Sequence, residues 1–207
     1  MQLHLRNKEV NSILKIIPGK PQVISIGGAP GTGKTFLMKT LYRKLRPTTF
    51  SFWFHQDLDP ADFFKLFAIY YPHFTPLFWK TFNEDERRDL VEYIQEFASI
   101  LQIDKIPGLP TLSLESLFIL FLKKLVDIRP VVFFIDNAKL DAHSLVSEIL
   151  IRFREDPLNF VVAGQDSLPS GWDVREFRLQ NFSKSEVEVF LKHHGISERI
   201  DTIFDMT

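Results

Sequence analysis

The run Gly28-Ala29-Pro30-Gly31-Thr32-Gly33-Lys34-Thr35 constrains this chain more than any other feature, because glycines at fixed intervals lead into a lysine and a hydroxyl residue. The preceding Gln22-Val23-Ile24-Ser25-Ile26 reads as a buried parallel strand, and 36–45 reads as a helix. A strand, a tight glycine turn and a helix N-terminus in that order gather several backbone N–H donors around one point. Glycine permits this because no Cβ obstructs the turn. The pattern is that of a phosphate-binding loop for a nucleoside triphosphate, with Gly28, Ala29, Pro30, Gly31, Thr32, Gly33, Lys34, Thr35 and Phe36 as its contact residues. Lys34 is expected to reach the β- and γ-phosphates and the Thr35 hydroxyl to coordinate Mg²⁺. A lone glycine-rich turn would be no more than a helix cap; the full pattern in strand-loop-helix context is specific. Binding and turnover are separate questions.

A chain of 207 residues, 45% of them hydrophobic, has room for one α/β core with helical additions, or for a core and the beginning of a second domain. The absence of cysteine excludes disulfides and thiolate metal sites, and no N-terminal stretch has the form of a secretory signal, so a cytoplasmic or otherwise intracellular setting is expected. The longest apolar runs stop well short of the roughly 20 residues of a membrane span, so no membrane is expected as a partner. With 25 basic and 26 acidic residues, the net charge of -1 offers nucleic acid no general attraction. Lys39, Arg43, Lys44 and Arg46 cluster near the first loop-borne helix and read as a solvated face. The 21 phenylalanines suit thick aromatic packing.

Upstream of the loop, Val10, Ile13, Leu14 and Ile17 form one apolar stripe of a helix over 10–17, broken by Pro18-Gly19-Lys20-Pro21. Downstream, 49–55 is a strand candidate. The interval 61–127 is mostly helical in pattern, with its best helices at 63–71, 84–101 and 114–126, and reads as an insertion into the core. Phe63, Phe64, Phe67 and Tyr71 fit a buried stripe better than an exposed interaction face.

Val131-Val132-Phe133-Phe134-Ile135-Asp136 is the second strong signal: five apolar residues of a central parallel strand deliver a carboxylate to the sheet edge where such folds bind ligands. Asp136 is expected to share Mg²⁺ with Thr35, directly or through water. The next residue is Asn137, where many ATPases of this layout carry a glutamate that polarises the attacking water. An amide orients water but does not accept its proton, so slow hydrolysis is expected. Asp141 reads as a helix N-cap, with a substitute catalytic carboxylate as the alternative. A helix over 145–153 and a strand over 159–163 follow, and Gln165 at that strand's edge is a candidate sensor of the γ-phosphate. Arg175 and Arg178 flank a strand candidate over 176–179 and read as surface charges. Ser183 and Glu186 form a capping box that opens another helix. The histidines show no metal-ligand spacing.

With these residues in place, the chain resembles the STAND and AAA-type P-loop ATPases, and in particular the ATPase module of large bacterial transcription regulators and multidomain nucleotide cyclases. The likeness runs from about residue 3 to 194. It includes Arg6-Asn7-Lys8-Glu9 before the first helix, the phosphate loop, the stretch from Ile135 to Leu145, and the stretch from Phe177 to Glu186. It implies a P-loop NTPase fold: a three-layer αβα sandwich with a mostly parallel sheet and a helical insertion. The core would occupy 1–182 and the start of a truncated helical lid 183–207. It further implies an ATP or ADP site with Mg²⁺, self-association or attached effector domains, and a nucleotide-dependent switch. Asn137 and Gln165 depart from the family's acidic and basic positions, which favours weak turnover or a scaffold that does not hydrolyse. A DNA-associated AAA+ role stays open through the resemblance, although the net charge does not support it.

Overall fold

Neighbouring residues along each inner strand face opposite sides of the sheet, and in this chain both sets are apolar, so the sheet must be covered on both faces. The computed structural model describes residues 6–17, 22–60, 62–63, 66, 114–164 and 168–193. In chain order the elements are α1 (Asn7–Ile16), β1 (Gln22–Gly27), α2 (Lys34–Leu45), β2 (Phe50–His55), α3 (Leu114–Ile128), β3 (Val131–Asp136), α4 (Leu145–Arg152), β4 (Leu158–Ala163), β5 (Val174–Arg178) and α5 (Lys184–His193). The strands form a five-stranded sheet in the order β2-β3-β4-β1-β5. Every pairing is parallel. This is the α/β architecture expected from the sequence.

One face carries Ile24, Ile26, Val132, Phe134 and Val161 against Val10 and Ile13 of α1 and Leu37, Met38 and Leu41 of α2. The other carries Val23, Phe52, Phe133 and Phe160 against Phe118, Leu122 and Leu125 of α3 and Val146 and Ile149 of α4. Three layers result. β3 and β4 are buried at every position, as strands covered on both faces should be. Much of the phenylalanine content enters the α3/α4 layer: the Phe63 ring lies 4.6 Å from Phe52 and 4.7 Å from Phe118, and Phe133 lies 5.2 Å from Phe160. β5 closes one edge with exposed Arg175, Glu176 and Arg178, a charged edge that discourages further strand pairing.

Several boundaries differ from the sequence expectation. α1 begins at Asn7, so Asn7-Lys8-Glu9 form its first turn and only Arg6 stays outside, in the left-handed region at φ 62°. β5 begins two residues earlier than its pattern suggested, because Val174 pairs with Val23. The N-cap before α4 is Ser144 and not Asp141. Asp141 instead folds the preceding turn, accepting the His143 N–H at 2.8 Å. The helix expected over 84–101 lies outside the described residues, as do Phe64, Phe67 and Tyr71.

Candidate functional site

Parallel strands all end on one edge, and here that edge receives the loop after β1, the carboxylate after β3 and the turn after β4. The loop leaves β1 at Gly27 and enters α2 at Lys34. Gly28 is required by a close approach: a Cβ there would stand 2.7 Å from the Leu179 carbonyl oxygen. Gly33 is the N-cap of α2 at φ 88° and offers no side chain to the first turn. The amides of that turn are therefore left to a ligand, and the helix dipole favours an anionic one. Buried Thr32 braces the turn, its hydroxyl donating to the Ala29 carbonyl at 2.9 Å. The Lys34 ammonium arches back over the loop and donates to the carbonyls of Gly28 at 2.6 Å and Ala29 at 2.9 Å. Thr35 and Phe36 follow in the first turn, with Phe36 partly exposed.

Thr35 and Asp136 meet across the sheet edge. The threonine hydroxyl donates to Asp136 Oδ2 at 3.0 Å and lies 3.3 Å from Oδ1. Asp136 is buried, and Oδ1 also accepts the Asn137 N–H at 3.2 Å. The pair suits magnesium: two adjacent oxygens of an octahedral ion with bonds near 2.0–2.1 Å stand about 2.9 Å apart. Among the described residues no group of three or more His, Asp or Glu side chains gathers around one point. One hydroxyl and one carboxylate suit an ion that keeps its remaining positions for phosphate and water, the usual habit of Mg²⁺.

The turn after β3 is held rigidly. Asn137 takes φ 53°, a conformation asparagine tolerates better than most residues. Gln56, after β2, takes φ 73°. Backbone bonds join the three strand ends: Gln56 N–H to Asp136 O at 2.8 Å, Lys139 N–H to Gln56 O at 2.8 Å and Ala138 N–H to Ala163 O at 2.9 Å. Gly164 lies so close that a Cβ would stand 2.8 Å from Asn137 Cα. The Asn137 side chain is exposed at this edge. Gln165 lies outside the described residues, one position beyond Gly164.

A family model for the AAA domain matches residues 19–170, most of the chain and all of the loop and acidic strand. The chain belongs to the AAA domain family. Two solved structures are similar to it at low identity. One is a Signal Transduction ATPase with Numerous Domains (STAND) protein with a tetratricopeptide repeat sensor from Pyrococcus horikoshii, with 13% identity, a TM-score of 0.46, and coverage of 97% of this chain and 27% of that one. The other is the ORC2 protein of Aeropyrum pernix in ADPNP-ADP complexes, with 13% identity, a TM-score of 0.47, and coverage of 95% of this chain and 53% of that one. This chain therefore spans about a quarter and about half of those two proteins. No curated protein sequence matches it.

Two residues of this AAA domain near the site have no individual role legible in the sequence. His55 ends β2 directly opposite Asp136 in the strand register, and only the pairing reveals it. Arg6 is 7% exposed and donates through Nη2 to the Thr32 carbonyl at 2.9 Å and to the Gln180 carbonyl. Arg178, Leu179, Gln180 and Asn181 then line an open cleft of about 760 Å³ against Gly28, Ala29, Pro30 and Thr32. Arg178, read from sequence as a surface charge, is exposed but faces this cleft. No helix among the described residues is long and apolar enough to cross a membrane.

Proposed function

We propose that this AAA domain is an ATP-binding regulatory switch module with weak Mg²⁺-dependent ATP hydrolysis. The observation that carries the reading is the meeting of Thr35 with Asp136 beside the Lys34-bearing loop, followed at once by Asn137 in place of a carboxylate. On this reading the loop N–H groups and Lys34 hold the β- and γ-phosphates, and Lys34 exchanges its carbonyl partners for phosphate oxygens. Thr35 and Asp136 hold the metal, which when bound neutralises phosphate charge and orients the γ-phosphate. Asn137 positions a water for in-line attack without taking its proton, and Gln165 contacts the γ-phosphate. Catalysis is electrostatic and positional, with no covalent protein intermediate.

The cleft between the loop and residues 178–181 supports a nucleoside position, because it adjoins the loop and Asp136 is not among the residues that line it. Residues 1–182 then form the ATPase core, with 61–127 inserted, and 183–207 begin a lid. Attached effector domains or self-association would use the lid's position as their signal, and an intracellular setting suits a nucleotide so employed. Asn137 equally supports a second reading, a nucleotide-dependent scaffold that binds without turnover.

Titration with labelled ATP and ADP in the presence of Mg²⁺, with phosphate release followed in the same samples, tests the proposal. Lys34→Ala removes charge-assisted bonds of about 1.5–3 kcal/mol and should weaken binding roughly 10–150-fold. Slow release that K34A abolishes supports the switch with hydrolysis. Saturable binding without release selects the scaffold. Binding indifferent to K34A overturns both.

A further inference from the structure

Arg6 stands at an unusual place for a charged residue. It precedes α1 in a left-handed conformation at φ 62°, is buried, and leaves Nε without a hydrogen-bond partner among the described residues. A buried guanidinium with one unsatisfied nitrogen and an unfavourable backbone works against stability. Such strain collects where function holds a residue in place.

Its contacts say what it holds together. Nη2 donates both to Thr32 O, inside the phosphate loop, and to Gln180 O, in the segment after β5. Nη1 lies 3.4 Å from Glu9 of α1. The guanidinium sits 4.2 Å from the centroid of the Phe182 ring. The same ring covers Gly33, where a Cβ would stand 3.1 Å from Phe182 Cζ. Leu179 N–H donates to Gly27 O at 2.8 Å, so 179–182 follows the loop from its start to its end. The next residue, Ser183, accepts the Glu186 N–H and opens α5.

We propose that Arg6 and Phe182 are positioning residues that pass the state of the phosphate loop to α5. This inference rests on the nucleotide reading above. Phosphate binding turns the amides around Thr32 and Gly33 toward the ligand, which moves the Thr32 carbonyl that Arg6 grips and the glycine face on which Phe182 rests. Because Gln180 and Phe182 lie within three residues of Ser183, a shift there reorients the start of α5. Linkage makes the coupling reciprocal: whatever fixes α5 also changes nucleotide affinity by the same factor.

Hydrogen exchange of the full chain, with and without Mg²⁺ and ATP, tests this. In the wild-type chain nucleotide should slow exchange several-fold both in 28–35 and in 184–193. Arg6→Met keeps an unbranched stem but has no N–H to donate to either carbonyl, and Phe182→Leu keeps an apolar contact but loses the π face. In both variants the loop should remain protected by ATP while the α5 rates return to within about twofold of the nucleotide-free rates. Wild-type protection of α5 in both variants would overturn the coupling, as would loop protection in the wild type with no response in α5. A uniform rise in exchange, equal with and without ATP, would make Arg6 a merely structural residue and also overturn it. Absence of protection at both places in the wild-type chain would instead remove the nucleotide reading beneath it.

Discussion

The Thr35 hydroxyl and the Asp136 carboxylate lie 3.0 Å apart although 101 residues separate them in the chain. The contact exists because β1 and β3 both run toward the same sheet edge with only β4 between them. Thr35 follows the loop from β1, and Asp136 is the last residue of β3. Thr35→Ser keeps the hydroxyl and should retain Mg²⁺-dependent ATP binding, whereas Thr35→Val should lose the magnesium dependence. Asp136→Asn should lower phosphate release by about two orders of magnitude, the scale seen when one electrostatic contact to a transition state is removed. Isothermal titration with and without Mg²⁺ checks the binding arm; equal magnesium dependence in Thr35→Val would remove the threonine from the metal site.

On the proposed function, Asn137 should bear on rate more than on binding. Asn137→Glu places a carboxylate where water is to be activated and should raise hydrolysis by about 100-fold, the lower range of general-base contributions. The left-handed backbone at this position, φ 53°, should cost the variant up to about 1 kcal/mol of stability. Gly164→Ala tests the same turn from behind, because its Cβ would press on Asn137 Cα. It should slow hydrolysis while leaving nucleotide affinity nearly unchanged. Single-turnover phosphate release separates the two effects, and an unchanged rate in Asn137→Glu would assign the deficit to another residue.

The parts of this architecture that could be read in the sequence are those whose chemistry is local. The loop from Gly28 to Thr35 carries its own turn, charge and hydroxyl, and the strand from Val131 to Asp136 announces burial by continuous apolarity. The capping box appears as expected, with the Ser183 N–H 2.8 Å from Glu186 Oε2. What could not be read depends on register or on distant contact. His55 is an ordinary strand end until pairing sets it beside Asp136. Arg6 belongs by pattern to a charged segment before a helix, yet its partners are 26 and 174 residues away. The left-handed turn at Arg6 aims its side chain into the fold, and no periodicity encodes that.

Phe133 should dominate the stability of the α3/α4 layer. Its ring is fully buried, 5.2 Å from Phe160 and 5.7 Å from Phe52. Phe133→Ala should destabilise the fold by about 3–5 kcal/mol, and Phe133→Leu, which preserves more volume, by less. Because β3 also delivers Asp136, nucleotide should recover part of the loss if it binds the folded state alone. Urea denaturation with and without Mg²⁺ and ATP measures both quantities. A loss below about 1 kcal/mol in Phe133→Ala would mean that the aromatic layer closes around the cavity.

The start of α5 should respond to acid. Glu186 accepts the Ser183 N–H at 2.8 Å and the Ser183 hydroxyl at 2.8 Å. Those two bonds, with a smaller contribution from the Arg6 charge, hold its carboxyl below the ordinary range against a slight opposing effect of burial. A carboxyl depressed in the folded state stabilises that state above its unfolded value, near 4.3 for glutamate, and loses this contribution as pH falls through the folded value. Glu186→Gln should therefore increase exchange of the Val187 amide, which donates to Ser183 O at 3.0 Å, at neutral pH. The gap to wild type should narrow below about pH 4, after correction for the intrinsic acid dependence of exchange. Ser183→Ala removes the cap itself and should cost about 1 kcal/mol of local helix stability with a weaker pH dependence. A gap between wild type and Glu186→Gln that stays constant from neutral pH into acid would show that the carboxylate's charge does not act at this cap.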